Sequence, residues 1–303
     1  MRIGYPCINL GIGCKAAKTF RLKSYSEERL KQTVENNLSC LEQILKFNLT
    51  NNLFFFRITS DLIPFASHTI NRFNWKDYYR SKFASIGVFI RKNRMRISMH
   101  PDQFTLINSL DETIFERSKK ELYYHSKVLD LMELDASTKI QIHVGGVYGD
   151  KQKSIERFVD RFNNLEKSVK RRLVIENDDV SYTVSDCLQI SDQIRVPILF
   201  DVFHHQINNS GPAKEAFELC AKSWDSERDG IPMVDYSSRN PSGSQRNHAD
   251  SIDLKDFERF LVKSRPFDFD IMLEIKDKEK SAIKAINFAM RDIRVQEFLG
   301  SLC

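Results

Sequence analysis

The sequence predicts an α/β fold, a single (β/α)8 barrel whose working residues stand at the C-terminal face of the strands. Three observations lead there. Eight short apolar runs alternate with longer stretches of helical period, and no linker interrupts the alternation. Several of those runs are apolar almost throughout, such as Phe54-Phe55-Phe56, Ile198-Leu199-Phe200 and Ile271-Met272-Leu273, as expected of parallel strands covered on both faces. Eight β-α units within 303 residues also match the usual size of a barrel, whereas a doubly wound sheet normally uses fewer strands.

In chain order the strands are expected at residues 2–8, 53–59, 95–100, 139–144, 172–177, 197–203, 231–236 and 269–275. Helices are expected near 27–47, 76–91, 112–134, 152–169, 184–193, 213–223, 253–264 and 278–296, one after each strand. The first begins at Ser26 with Glu27 and Glu28 behind it, and the third at Asp111 with Glu112, so negative charge meets the positive end of each helix dipole. Asn36, Asn37 and Ser39 weaken the first helix only modestly. Two loops stand out on the expected functional face. Residues 9–25 carry Lys15, Lys18, Arg21 and Lys23, and residues 237–252 form a polar, Gly- and Pro-containing connection after the seventh strand.

Composition narrows the class of protein. With 41% hydrophobic and 29% charged residues the chain can bury a sizeable core, so disorder is excluded for most of it, and the reading is one domain over residues 1–303. No apolar run is long enough to span a bilayer, and Met1-Arg2-Ile3-Gly4-Tyr5-Pro6 lacks the apolar centre of a signal peptide, which points to a cytoplasmic protein. Cys7, Cys14, Cys40, Cys187, Cys220 and Cys303 are scattered without a C-x-x-C pair and are expected to be reduced thiols. The net charge of +5 permits a nucleic-acid partner without demanding one.

The informative pattern is where histidines and carboxylates fall. His100 closes the third strand, His143 the fourth, Glu176 the fifth, Asp201 and His204 the sixth, Asp235 the seventh and Glu274 the eighth. Singly, each is an ordinary core histidine or ion-pair partner. Together, in a barrel, they converge on one rim, where so many carboxylates repel unless cations neutralise them. Imidazole and carboxylate donors without thiolate suit two or three divalent ions, Mn²⁺ first and Zn²⁺ second. Such sites hydrolyse phosphodiesters or isomerise sugars. The basic loop after the first strand and the turn Pro101-Asp102-Gln103-Phe104 tilt the choice toward DNA, since Gln103 and Phe104 are placed to probe or wedge a base step. Taken alone, Phe104 reads as a loop anchor packed on the barrel rim, and the basic loop as a solvated surface.

Ordered blocks then give a resemblance. Tyr5-Pro6-Cys7-Ile8-Asn9, Arg57-Ile58-Thr59-Ser60-Asp61-Leu62-Ile63-Pro64, Ser98-Met99-His100-Pro101-Asp102-Gln103-Phe104, Ile142-His143-Val144-Gly145-Gly146, Ile175-Glu176-Asn177-Asp178 and Asp201-Val202-Phe203-His204-His205 resemble the successive motifs of the UV damage endonuclease family. Asn247-His248-Ala249-Asp250 and Leu273-Glu274-Ile275-Lys276 extend the match to the eighth strand. The family is a metal-dependent TIM barrel related to endonuclease IV that nicks double-stranded DNA immediately 5′ of UV photoproducts. The resemblance implies a metal set of His68, His100, His143, Glu176, Asp201, His204, Asp235, His248 and Glu274, with Glu176, Glu274 and His143 at the chemistry. It also implies Gln103 and Phe104 as the pair that probes the damaged step, and Tyr5 and Asn9 as contacts near the extruded lesion. His68 enters only through the resemblance, because by pattern Ala66-Ser67-His68 is a surface loop. One departure is visible: bacterial relatives are expected to carry Lys-x-His at the seventh strand, where this chain reads Met233-Val234-Asp235. Asp235 can replace imidazole as a ligand, and Met233 cannot replace the lysine. No obligate protein partner and no membrane are implied, and if the source is prokaryotic the expected location is the nucleoid. The rival activities are an abasic-site endonuclease, a metal-dependent sugar isomerase and a DNA-binding module without catalysis.

Overall fold

The computed structural model describes residues 1–208, 211–239 and 246–302. Residues 240–245 of the expected loop at 237–252, and Cys303, lie outside the described residues. The strands are β1 (Ile3–Pro6), β2 (Phe55–Ile58), β3 (Arg96–Met99), β4 (Lys139–His143), β5 (Leu173–Glu176), β6 (Ile198–Asp201), β7 (Met233–Tyr236) and β8 (Asp270–Leu273). Each lies inside its expected run. They pair in parallel in sequence order and close through β1 to β8. The fold is the (β/α)8 barrel that the alternation predicts.

The helices are α1 (Glu27–Thr50), α2 (Trp75–Tyr78), α3 (Arg80–Lys92), α4 (Glu112–Leu131), α5 (Lys151–Asn163), α6 (Lys167–Lys170), α7 (Val184–Ile194), α8 (Val202–Asn208), α9 (Ala213–Lys222), α10 (Leu254–Lys263), α11 (Glu279–Ala289) and α12 (Ile293–Gly300). Ser26 and Asp111 act as the expected caps, accepting hydrogen bonds from the Arg29 and Thr113 backbone amides. Three expected helices are each broken in two, at Tyr79, around 164–166 and near 290–292. α8 replaces the end of the sixth expected strand. Asp201 closes β6 and its Oδ1 accepts the His204 amide at 2.7 Å, so the chain turns into a helix at once and His204 rides its first turn.

The period of two along each strand sorts the barrel interior into layers. At the floor, Asp270 pairs with Arg96 and Arg2, both at 2.9 Å, and Lys139 reaches Asp229 at 2.5 Å, with Trp224 under both interior cations. Above it Phe55, Val174, Leu199, Met233 and Met272 form an apolar plug. Two residues further along the same strands come Arg57, Glu176, Asp201, Asp235 and Glu274, at the C-terminal mouth. Met233 therefore has a packing task one layer beneath the acidic ring.

The cysteine expectation is overturned at one pair. Cys14 and Cys40 form a disulfide, with Cα atoms 5.8 Å apart, while Cys7, Cys187 and Cys220 are free. The reason lies in the loop after β1, which folds back on α1: Asn37 accepts the Lys18 amide at 3.0 Å and donates to the Lys18 carbonyl at 2.9 Å. That brings two thiols together that lie 26 residues apart, a contact that spacing rules do not show.

Candidate functional site

Seven strands, β2 to β8, deliver the site. Glu176 is the hinge of the arrangement: its Oε1 lies 3.0 Å from His100 Nε2 and 2.9 Å from His143 Nε2. His100, His143 and Glu176 form one group able to hold a metal ion, and Glu176, Asp201 and Asp235 form a second, with donor atoms within 4.8 Å of one another in each. Glu176 belongs to both. His204 adds Nδ1 at 3.3 Å from Asp201, and His248 places Nε2 at 3.7 Å from Glu274. The imidazoles form a chain, with ring centres of His100 and His143 5.4 Å apart and of His143 and His204 5.9 Å apart.

Two residues at the centre carried no assigned role in the sequence reading. Arg57 Nη2 donates to both oxygens of Asp235, at 2.8 and 2.7 Å, and to Gln141 Oε1 at 2.7 Å, while Nη1 pairs with Glu274. Gln141 Nε2 turns the other way, to Asp235 at 2.6 Å and to Glu176. The signal was partial: Arg57 ends a Phe-Phe-Phe run, and on the face that closes the barrel a lone cation is buried only if anions meet it, but the sequence does not say which face of β2 that is.

The electrostatics show an excess of acid. Burial opposes the charge on Glu274, but Arg57 overcomes it and holds this carboxyl down at about 2. Burial also opposes ionised Glu176, which His143 and His100 nonetheless hold well below the usual carboxylate range. Asp201 is pushed up to about 7, by burial first, with His204 opposing and Glu274 and Glu176 repelling. Asp235 is raised by burial and by the same neighbours, against the pull of Arg57. His143 and His204 rise to about 9 despite their burial, because Glu176 and Asp201 face them. One guanidinium cannot satisfy four carboxylates, and the buried Nδ1 atoms of His143 and His248 have no hydrogen-bond partner among the described residues. Hard oxygen and imidazole donors, surplus negative charge and orphaned ring nitrogens are the conditions a divalent ion relieves.

The remaining expected residues are placed differently. His68 is exposed on its loop, its Nδ1 accepting the Ile70 amide at 3.0 Å, and it shares a surface cavity with Phe104 rather than joining the acidic ring. Phe104 is 73% exposed, so it is not a rim anchor, and Gln103 beside it is exposed too. Tyr5 and Asn9 are both buried. Tyr5 has the outward parity of β1: its ring packs on Phe56, and its hydroxyl donates to Asn48 at 2.7 Å and accepts from Asn9 at 2.8 Å. Asn9 Oδ1 in turn accepts the Gly11 and Ile12 amides. The pair therefore shapes the loop after β1, and both side chains are buried in the free chain.

Comparison with known proteins then decides the lineage. The model of the family described as UV-endonuclease UvdE matches residues 1–299. The chain belongs to that family. A UV DNA damage endonuclease of Clostridium perfringens (strain 13 / Type A) is 39% identical over 289 residues, covering 95% of this chain and 70% of its relative. One of Bacillus cereus (strain Q1) is 33% identical over 298 residues, covering 95% and 94%. The crystal structure of SacUVDE superposes with a TM-score of 0.92 at 42% identity, over 97% of this chain and 99% of the other. Endonuclease IV from Thermus thermophilus shares the fold, with a TM-score of 0.57 at 12% identity over 95% of this chain and 97% of the other. As a UvdE-family member the chain is an endonuclease, a phosphodiester hydrolase. No helix among its described residues is long and apolar enough to cross a membrane.

Proposed function

We propose that this chain incises double-stranded DNA immediately 5′ of UV photoproducts, cyclobutane pyrimidine dimers and 6-4 photoproducts, using two or three divalent ions held at the barrel mouth. The observation that carries the metal reading is the Glu176 carboxylate, which lies within reach of two donor groups at once. His100 and His143 would hold an ion with Glu176 on one side, and Asp201, Asp235 and Glu176 on the other, with His204, His248 and Glu274 at the periphery. His68 is not gathered there. When bound, such ions supply Lewis-acid activation of water and of the scissile phosphate, Mn²⁺ being the best match to the donors and Zn²⁺ the next.

The chain's own residues do the rest. Arg57 and Gln141 fix the orientation of Asp235, Glu274 and Glu176, so the acidic ring is already in place before substrate arrives. Glu176, 2.9 Å from His143 Nε2, fixes the direction of that imidazole, so the two stand as one oriented donor pair. Gln103 and Phe104 stand free at the rim, where an aromatic wedge can enter a base step that a photodimer has already weakened. The test is nicking of UV-irradiated supercoiled plasmid with Mn²⁺, end analysis showing 3′-hydroxyl and 5′-phosphate termini, and depurinated plasmid as the rival substrate. Failure to relax irradiated plasmid with Mn²⁺, Zn²⁺ or Mg²⁺, or equal cutting of depurinated plasmid, would reject this reading.

A further inference from the structure

The loop between β4 and α5 holds an aromatic side chain that the metal centre does not use. Tyr148 follows His143 in this loop with a φ of 51°, in the left-handed region where a bulky side chain is costly. It is 40% exposed. Its ring is nonetheless fixed: the Arg157 guanidinium lies over it at 5.4 Å, and a Cβ on Gly146 would come within 2.7 Å of it. The loop itself is stapled. Asn108 Nδ2 donates to the Gly146 carbonyl at 2.8 Å and to Tyr182 Oη at 3.2 Å, and Tyr182 Oη donates to the same carbonyl at 3.0 Å. Gly145, at a φ of 115°, leaves no room for a side chain against Asn108. These bonds tie the loop that carries Phe104, the loop that carries Tyr148 and the loop after β5 into one rigid rim.

A ring needed only to pack would be buried, and a left-handed position that needed no ring would be met more cheaply by Asn or Gly. We infer that Tyr148 is a second DNA-contacting aromatic, which stacks on a base unpaired at the damaged step, on the rim segment adjoining the one that carries Phe104. Every nucleobase offers a π face, so such a platform is tolerant of sequence and selective for bases that have left the stack. The rim that fixes Tyr148 also fixes its spacing from Phe104, so wedge and platform engage one distorted step together.

The inference rests on the proposed function, and one experiment separates the two. Single-turnover nicking of a duplex with one cyclobutane dimer is followed in the Mn²⁺-loaded enzyme against enzyme concentration, for wild type, Tyr148→Asn, Tyr148→Phe and Tyr148→Trp. Asn suits the left-handed backbone, so Tyr148→Asn removes the ring without straining the fold. The half-saturating concentration should rise about 5- to 100-fold in Tyr148→Asn and stay near wild type in the aromatic variants. The maximal rate, the bound Mn²⁺ and the slope of affinity against salt should hold, since stacking releases no phosphate counterions. Wild-type saturation by Tyr148→Asn, or equal impairment by Tyr148→Phe, overturns the platform while the nicking activity stands. A wild type that leaves the duplex intact removes both readings.

Discussion

Glu176 does two things that no other side chain of the site does: it accepts from two imidazoles through one oxygen, and it takes part in both groups able to hold an ion. Glu176→Gln keeps the volume and removes the charge. We expect metal content to fall and nicking to drop by at least about 10³-fold, while the melting temperature of the metal-free protein changes little or rises because one repelling carboxylate is gone; elemental analysis and plasmid relaxation measure the pair. A second acid, at the opposite end of the barrel, has a structural task. Burial raises the Asp270 carboxyl, but Arg2 and Arg96 overcome that and hold it below its usual range. Its folded pKa is depressed, so the stability it contributes is present above the unfolded value of about 3.9 and is lost as pH falls through the folded value. Asp270→Asn leaves Arg96, 5% exposed, without its counter-charge, and should cost about 3–5 kcal/mol in urea unfolding at neutral pH. The variant should also show a shallower loss of stability below about pH 4 than wild type.

At the scale of elements, the strands were legible because β propensity, apolar runs and polar termini agreed at every one of them. Helix boundaries were less so. Asp201 has two roles, closing β6 and capping α8, and a strand-end reading cannot see the second; only the spacing Asp201 to His204, a cap and its third residue, hints at it. Arg57 and Gln141 were hidden for a related reason: interior parity is fixed by which face closes the barrel, and the sequence shows parity without saying which face that is. Tyr5 fell on the opposite parity and went to the helix layer, taking Asn9 with it. The loop after β3 behaves in the reverse way, with Phe104 exposed where an anchor would be buried. Phe104→Ala should leave the fold, the metal content and affinity for undamaged duplex unchanged, and weaken discrimination for photodimer duplex by about 10- to 100-fold, read from competition binding. The loop after β1 is fastened by Cys14 and Cys40. Replacing both by Ser should lower stability by about 3 kcal/mol, and the difference should vanish when wild type is measured under reductant.

For the whole molecule, the layered barrel separates two charge problems. The floor is solved by protein alone, since Arg2, Arg96 and Lys139 meet Asp270 and Asp229, whereas the mouth has more carboxylates than its guanidinium can balance. The apolar layer of Phe55, Val174, Leu199, Met233 and Met272 keeps the two apart. Stability should therefore depend on cations at one end only. Chelation should lower the melting temperature and abolish nicking, and Mn²⁺ at about 100 times its dissociation constant should restore about 2.7 kcal/mol together with the activity. The restoration should be weaker in acid, because protonated imidazoles cannot ligate. Asp270→Asn, which damages the floor, should lose stability by a similar amount with and without metal, whereas Glu176→Gln should lose the metal-dependent increment alone. If chelation lowers stability equally in wild type and Glu176→Gln, the ions sit elsewhere and the mouth must balance its acids by holding protons instead.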